Sequence, residues 1–346
     1  MMRGYKKALL VILLLSCFLV LMVGCGSSSN APAAKPDEKK PAEQVATDDK
    51  YPSRPIELIC AYGPGGGSDV FSRSIAIPLG KILGQSVVVK NVSGSAGGVG
   101  TVYVAKQPAD GYTILQNVTD MIINDTMKRV EVTHEDFIPL GRVQHDQSLF
   151  WVSTESKFKT MKEVIEYAKK NPGKLKMAIS QSAGFDETMT STFKKVAGID
   201  ITLVPYNAGG EAVAALLGGH VDLLHEEAGS AIALYQGKKI KPLLVMTEER
   251  LPVFPDVPTA KELGYDVTMG IWRGLFVRKG TPPEIVAKLE AAIQKSTEDS
   301  VYKAVTKEIM LDQRPGYLNS EQFSQFLSKE YDTYYSVLKG LGYIKE

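Results

Sequence analysis

The chain has 346 residues, with 40 Lys and Arg against 39 Asp and Glu and a formal net charge of +1 at pH 7. This balance, without a basic stripe, argues against a nucleic-acid-binding protein. Two of the three cysteines, Cys17 and Cys25, lie near the amino terminus, and only Cys60 follows. No internal disulfide is therefore expected, and Cys60 is predicted to be a buried small hydrophobic residue.

Residues 1–24 have the pattern of a lipoprotein signal peptide. A cationic start at residues 3–7 precedes an apolar run of about 16 residues, which is shorter than a membrane-spanning helix requires. The run ends in a segment that resembles a lipobox, in which Cys25 becomes the acylated first residue of the mature chain, carrying for example palmitate. Met22 departs from the usual Leu at that position, and Cys17 is a second, weaker candidate.

Residues 25–50 are rich in Ser, Ala, Pro, Lys, Asp and Glu and contain almost no large apolar side chain. Such a segment cannot bury a core, so it is predicted to be a disordered tether behind the lipidated Cys25. Two or three acyl chains would be needed for stable anchoring, because a single chain binds only marginally. The expected location is extracytoplasmic, with the domain attached to a bacterial membrane through the lipid alone.

From residue 51 onward, short apolar runs alternate with amphipathic segments, which predicts an α/β fold. The predicted strands are residues 55–62, 86–90, 112–116, 148–153, 174–180, 201–204, 221–224, 240–246 and 270–277. The predicted helices are residues 68–83, a segment ending near 105, then 160–170, 186–196, 210–217, 228–236, 258–263, 282–296, 301–309 and 320–341. Two lobes are expected, residues 51–150 plus 272–346 and residues 151–271, with a ligand cleft and a hinge between them.

Residues 62–69, Tyr-Gly-Pro-Gly-Gly-Gly-Ser-Asp, connect a predicted strand to the start of a helix. Glycines allow positive φ and a close approach of the backbone, so successive amides can form an anion-binding nest. The helix adds its unpaired amides and the positive end of its dipole, which favour a carboxylate or a phosphate. No Gly-Lys-Ser/Thr follows the glycines, which excludes a Walker loop. The Gly-x-Ser-x-Gly motif of a nucleophile elbow is also absent here.

Other motifs give weaker indications. The second glycine loop, residues 93–100, does not have the Gly-x-Gly-x-x-Gly spacing of a dinucleotide site. His134 and His225 are each followed by two acids, but neither forms a His pair at i and i+4, so no metal site is expected. Three arginines could clamp a carboxylate, although ordinary ion pairs are the favoured interpretation. They are Arg73, Arg142 and Arg273.

Ordered motifs after residue 50 resemble those of the substrate-binding proteins of tripartite tricarboxylate transporters, the Bug family. They include Gly65-Gly66 with Asp69 and Arg73, Val89-Lys90-Asn91, Gly94 to Gly100, Pro108-Ala109-Asp110-Gly111, Val204-Pro205-Tyr206, Gly209-Gly210-Glu211, Pro255-Asp256-Val257-Pro258-Thr259, Trp272 and Gly280-Thr281-Pro282. The resemblance implies a two-lobed fold of the type II periplasmic-binding-protein kind that closes on a carboxylate.

The resemblance also implies which loops hold the ligand, mainly through backbone amides and small side chains. In the first lobe these residues are Tyr62, Gly65, Gly66, Ser68, Ser95, Ala96 and Gly97. In the second lobe they are Ser182, Gly184, Tyr206, Ala208 and Gly209. This sequence departs from the family pattern at residues 180–187, where two acids, Asp186 and Glu187, could repel an extra carboxylate or favour a ligand with an amine.

The expected function is therefore capture of a small organic carboxylate, such as a tricarboxylate or dicarboxylate, and its delivery to the membrane subunits of a tripartite tricarboxylate transporter. No nucleophile, general base or metal at a defined spacing indicates an enzyme, and no cofactor is expected. A ligand-sensing module for a membrane signalling protein remains the alternative. The sequence leaves the particular carboxylate open, because backbone amides recognise charge and shape.

Overall fold

The computed structural model describes residues 51–180, 182–206, 209–313 and 316–344. The predicted signal peptide, Cys25, the tether and Ala208 lie outside the described residues. The strands are β1 (Ile56–Cys60), β2 (Val87–Asn91), β3 (Thr113–Val118), β4 (Phe137–Ser153), β5 (Lys176–Ser180), β6 (Thr202–Tyr206), β7 (Leu223–Glu227), β8 (Ile240–Val245), β9 (Gly270–Arg278) and β10 (Leu318–Asn319). The α-helices are α1 (Gly67–Leu83), α2 (Gly98–Ala105), α3 (Asp120–Thr126), α4 (Met161–Lys170), α5 (Phe185–Ala197), α6 (Gly209–Leu217), α7 (Ala228–Gln236), α8 (Pro283–Glu298), α9 (Ser300–Glu308) and α10 (Ser320–Leu341).

Two sets of parallel strands lie at opposite ends of one sheet, whose order is β2-β1-β3-β9-β4-β7-β5-β6. At one end β1 pairs in parallel with β2 and β3. At the other end β5 pairs in parallel with β6 and β7. The long antiparallel strand β4 joins them, because residues 137–147 pair with β9 whereas residues 148–153 pair with β7 and β8.

Three apolar clusters fill the space between the sheet and the helices. One lies under the first parallel set and contains Phe71 and Leu275. A second lies under the other set and contains Trp151 and Phe254. The third extends across both sets and includes Phe323 of α10. Each parallel set thus has its own core, and α10 adds packing that joins the two.

Most elements begin and end within a few residues of the prediction, but two predictions need correction and one helix was missed. Strand β4 begins at Phe137, whereas the prediction began it at residue 148. The first part was missed because a run of buried polar residues, including Gln144 and Asp146, conceals the strand pattern. Helix α3 was not predicted. Residues 258–263 form a turn rather than a helix, since Thr259 makes an isolated β-bridge with Val245 and the backbone there bonds to β8.

The loops at the carboxyl ends of β1, β5 and β7 each run into a helix, α1, α5 and α7 respectively. In α/β proteins such strand ends are where ligands bind, because loops and helix amino ends converge there. Cys60, at the end of β1, is a free and fully buried thiol, as predicted. The strand ends therefore direct attention to the space between them.

Candidate functional site

A cavity of about 630 Å³ lies where these strand ends meet. Its walls come from the loop before α1, the starts of α3, α5, α6 and α7, the middle of β4 and the beginning of β9. Cavities of several hundred Å³ are typical of small-molecule sites. Of the predicted site residues, five line it: Tyr62, Gly65, Gly66, Ser68 and Gly209.

The first glycine loop presents the amino end of α1 to this cavity. Gly65 has φ of 80°, and Gly66 is the N-cap residue without any side-chain cap. Asp69 does not cap the helix from within the cavity; its Oδ2 instead accepts the amide of Gly65 at 2.9 Å. Arg73 and Asn91 hold the same carboxylate from outside. The loop is thereby fixed, and residues 65–68 line the cavity at the amino end of α1, a position that suits an anion.

Arg273 on β9 adds a positive charge at the amino end of α1. A Cβ added at Gly67 would lie 2.5 Å from Nη2 of Arg273, so the guanidinium lies directly against the start of α1. Arg273 is 3% exposed, with Asp146 at 3.4 Å and Glu227 at 4.0 Å. Its Nε has no hydrogen-bond partner among the described residues. The sequence pattern gave Arg273 no preference over Arg73 and Arg142, and the structure places only Arg273 at the cavity.

The second glycine loop lies behind Tyr62 rather than in the described cavity wall. Ser95, Ala96 and Gly97 have consecutive positive φ values of 50°, 48° and 83°. Asn124 donates to the carbonyl oxygens of Ser95 and Ala96, which holds this turn in place. A Cβ at Gly97 would lie 2.8 Å from Oη of Tyr62. The loop therefore supports the position of Tyr62, which itself lines the cavity.

The predicted residues of the other wall are dispersed. Ser182 is exposed, Gly184 is buried, and Tyr206 is half-buried at the end of β6, where it packs against an apolar cluster. Gly209 begins α6 and lies next to Glu226, whose Oε2 would be 2.6 Å from an added Cβ. Among the residues that the structure describes, Gly209 is the member of this group that reaches the cavity.

Carboxylates of the protein itself meet the helix amino ends on this wall. The amide of Phe185, the first residue of α5, donates to Oδ1 of Asp120 at 2.7 Å. The other oxygen of Asp120 accepts from the Tyr62 hydroxyl at 3.2 Å. Asp186 accepts both the amide and the hydroxyl of Ser180. These bonds use amide donors that would otherwise be available to an anionic ligand.

Five carboxyl groups line the cavity, and Arg273 is the cationic side chain among the described lining residues. The five are Asp120, Asp146, Asp186, Glu226 and Glu227. Each is less than a tenth exposed. Sequence analysis considered Asp186, Glu226 and Glu227 but missed Asp120 and Asp146 as cavity residues. For Glu226 and Glu227 a signal was available in the sequence, because two acids end an otherwise apolar strand.

Burial changes how these acids ionise. It raises the pKa of Asp120 to about 7, aided by the charge of nearby Asp186. It also raises the pKa of Asp146 to about 7 in spite of Arg273. Burial, followed by the adjacent carboxyl of Glu227, raises the pKa of Glu226 well above its usual value. Burial thus opposes the ionisation of all three carboxyls, and for Asp146 the nearby Arg273 does not offset it.

Asp186 behaves differently because His225 lies beside it, with Nδ1 at 3.2 Å from Oδ1. Burial alone raises the pKa of Asp186, but His225 and the Ser180 donors bring it below the usual value. For His225, burial lowers the pKa, but the charge of Asp186 more than offsets this effect, so the pKa of His225 lies above its usual value. The two form a buried pair, and His225 is not a ligand-facing residue.

The remaining candidates lie away from the cavity. His134 pairs with Asp125. Arg73 pairs with Asp69 and its side chain is 54% exposed, and Arg142 donates to the carbonyl of Gly316. Within the described ranges, no group of three or more His, Cys, Asp or Glu side chains is placed to hold a metal ion.

Comparison with known proteins identifies the family. The model of the tripartite tricarboxylate transporter family receptor, TctC, matches residues 71–343. The chain belongs to this family of tripartite tricarboxylate transporter receptors. A protein from the gbd 5' region of Cupriavidus necator is 33% identical over 88% of this chain and 92% of its own length. BugT of Bordetella pertussis is 29% identical over 85% of this chain and 91% of its own.

Solved structures agree. A TctC solute-binding protein from Polaromonas has a TM-score of 0.68 and 31% identity over 84% of this receptor and 99% of that chain. MatC from Rhodopseudomonas palustris, with bound malate, has a TM-score of 0.75 and 25% identity over 83% of this receptor and 100% of that chain. Another R. palustris protein, with adipate, has a TM-score of 0.77 and 26% identity over 84% of this receptor and 98% of that chain. The two-lobed, type II periplasmic-binding-protein-like fold expected from the sequence is confirmed.

The family consists of extracytoplasmic solute-binding receptors rather than enzymes. Within the described part of this receptor, no helix combines the length and apolar character needed to cross a membrane.

Proposed function

We propose that this receptor binds a small organic carboxylate in the cavity and delivers it to the membrane subunits of a tripartite tricarboxylate transporter. The observation that carries the proposal is the uncapped amino end of α1, which faces the cavity beside Arg273. Two family members of similar structure hold malate and adipate, both small dicarboxylates. A carboxylate of the ligand would lie against Gly65, Gly66 and Ser68.

Binding of this kind uses several donors at once. First-turn amides and a helix dipole favour an anion, and a guanidinium adds a charge-assisted hydrogen bond. Nε of Arg273 is buried without a hydrogen-bond partner in the described structure, and such a donor gains most from an acceptor. The loop at Ser95, Ala96 and Gly97 would keep Tyr62 in position.

The second wall would contribute Ser182, Gly184, Tyr206, Ala208 and Gly209 when the lobes approach. We place the lobe boundaries as expected from the sequence, at residues 51–150 plus 272–346 and 151–271. The two segments already meet, because the carboxylate of Asp120 on α3 accepts a hydrogen bond from the amide of Phe185 on α5. A ligand stabilises the closed arrangement only through contacts that it makes there in addition.

Titration of the mature chain with malate, adipate and citrate tests this function. At one hundred times its dissociation constant a ligand adds about 2.7 kcal/mol to the stability, which corresponds to a rise of about 5 °C or more in melting temperature. Small-angle scattering should show a smaller radius of gyration at saturation. If no small carboxylate changed the melting temperature, the proposed function would have to be abandoned, whereas tight binding without compaction would remove only the hinge.

We further propose that the receptor is anchored outside the cytoplasmic membrane by a lipid on Cys25. Support comes from the cationic and apolar pattern of residues 1–24. Cys25→Ala should prevent labelling by a palmitate analogue and move the protein from the membrane to the soluble fraction. Cys17→Ala is the matched control and should leave both unchanged; if Cys17→Ala instead abolishes the labelling, Cys17 is the lipidated residue.

A further inference from the structure

The loop between β5 and α5 is held by residues from distant parts of the chain. Ala183 in this loop has φ of 59°, in the left-handed region that residues other than glycine seldom adopt. Its amide donates to Oε2 of Glu187 at 2.6 Å, and its carbonyl oxygen accepts a hydrogen bond from Nη1 of Arg129. A backbone conformation of this kind persists only where the surroundings fix it. Both backbone groups of Ala183 are therefore held, one by α5 and one by the segment that follows α3.

Tyr343 connects this loop to the segment after α10. Its hydroxyl donates to Oε1 of Glu187 at 2.6 Å, on the same carboxylate that accepts the amide of Ala183. Gly342, which ends α10, has φ of 84°, and the amide of Tyr343 donates to the carbonyl oxygen of Leu338 at 2.9 Å. These are the features of a Schellman motif, which turns the chain after a helix. Local backbone geometry thus fixes where Tyr343 lies.

Further contacts lie along the same side of α5. Ser191, one turn after Glu187, also forms a hydrogen bond with the hydroxyl of Tyr343. Lys195, a further turn along, donates from Nζ to the carbonyl oxygen of Gly340. Residues four apart lie on one face of a helix. Three successive turns of α5 therefore contact the end of α10, and the bond from Tyr343 belongs to a continuous packed surface.

The loop that these residues hold is part of the cavity wall. Ser180 before it and Phe185 after it line the cavity. Arg129, Glu187 and Tyr343 are not among the described lining residues. The sequence left open whether Glu187 meets the ligand, and the structure turns this side chain to the loop and to Tyr343 instead. A change in any of the three would move the wall without altering the groups that face the ligand.

We propose, resting on the function proposed above, that Arg129 and Tyr343 are positioning residues for ligand binding. Arg129 holds the carbonyl of Ala183 directly, whereas Tyr343 acts through Glu187 on the amide. Neither touches the ligand. They keep this wall in its binding arrangement before the ligand arrives, which increases affinity because ordering a loop on binding costs free energy. In the proposed division into lobes both residues belong to the first lobe and the loop to the second, so these bonds also join the lobes.

The test is calorimetric titration of the mature chain with malate, adipate and citrate, for the parent and for single variants. Arg129→Met removes a charge-assisted hydrogen bond and should weaken binding of the acids that the parent binds by about tenfold or more. Tyr343→Phe removes one neutral donor and should weaken binding by about fivefold. Lys128→Gln, at the exposed neighbour of Arg129, and Tyr335→Phe, at an exposed tyrosine of α10, are the matched controls and should bind as the parent does.

Variants of Glu187 distinguish positioning from a merely structural role. Glu187→Gln keeps an oxygen that accepts the amide of Ala183 and a nitrogen that donates to the hydroxyl oxygen of Tyr343, so binding should be retained. Glu187→Ala should weaken binding, and Tyr343→Phe added to it should have no further effect, because Tyr343 acts through Glu187. Without ligand, the amide of Ala183 should exchange its hydrogen about tenfold faster in Glu187→Ala than in the parent, whereas the amides of β5 should not change.

The outcomes separate this role from the function itself. Unchanged affinity in Arg129→Met and Tyr343→Phe, with a parent that binds, overturns the positioning role and leaves the carboxylate-binding function intact, even if the melting temperature falls. Equal losses of affinity in Glu187→Gln and Glu187→Ala overturn the route through Glu187. If Arg129→Met does not fold, Tyr343→Phe decides, because it removes a single hydroxyl from an exposed side chain. If none of the three acids binds the parent, the proposed function and this inference fail together.

Discussion

The two walls of the cavity use the same structural device in opposite ways. On both sides a strand ends and a helix begins, so that amides and the positive end of a dipole point inward. At α1 the N-cap is Gly66, which has no side chain to satisfy those amides. At α5 the carboxylate of Asp120 accepts the first amide, and at α6 Glu226 lies against Gly209. A helix end therefore marks an anion site only where the protein has not supplied its own anion.

The largest effect should come from Arg273→Gln, which leaves the buried carboxyls of Asp146 and Glu227 without their cation. Removing one partner of a buried ion pair costs about 3 to 5 kcal/mol, and binding should be lost as well. Arg73→Gln is the control, because the side chain of Arg73 is 54% exposed and solvent screens its pair with Asp69, so that its loss should cost far less stability. Urea unfolding at pH 7.5 measures both; equal losses would contradict a special role for Arg273.

Gly66→Val should separate binding from stability. Gly66 has φ of −84° and an added Cβ would meet only the carbonyl of Gly63 at 3.9 Å, so valine fits the backbone. Its methyl groups would cover the first-turn amides and weaken carboxylate binding by about tenfold or more, while stability falls by roughly 1 kcal/mol or less.

Gly97→Val provides the contrast to Gly66→Val, because Gly97 has φ of 83° and its Cβ would collide with Tyr62. That variant should lose stability as well as binding. Calorimetric titration and thermal melting of the two variants make the comparison, and an unstable Gly66→Val would contradict it.

A smaller effect should appear in the pH dependence of stability. Asp120 has a folded pKa of about 7, above its unfolded value. The folded state therefore holds more protons between about pH 4 and 7, and stability decreases as the pH rises through that window. Asp120→Asn keeps an acceptor for the amide of Phe185 but does not titrate. Its unfolding free energy should decrease less from pH 5 to 8 than that of the parent, by on the order of 1 to 3 kcal/mol; parallel curves would contradict the buried, uncompensated state of Asp120.

The order of strands and helices followed closely from the sequence. Apolar runs and amphipathic stretches gave α1, α7 and α10 with nearly their observed bounds, because local periodicity determines which face of an element is buried. The glycine loop at Gly65 and Gly66 was identified for the same kind of reason, since several glycines between a strand and a helix have few alternative uses.

Elements that depend on distant partners were missed. The first part of β4 is recognisable as a strand only beside β9, more than a hundred residues later in the chain. Helix α3 consists of residues that are all buried, so it shows no amphipathic pattern. The predicted helix at residues 258–263 is a turn, because pairing of Thr259 with Val245 takes up the backbone there.

The sequence by itself determined the family and the α/β layering and predicted an anion site at the α1 loop, because each of these rests on contiguous residues. Only the tertiary structure decided what the rest of the cavity is made of. Asp120, Asp146 and Glu226 come from separate elements, and their sequence positions do not indicate that they face one space with Arg273. Charge balance within a cavity depends on distances between residues far apart in the chain, and folding alone sets those distances.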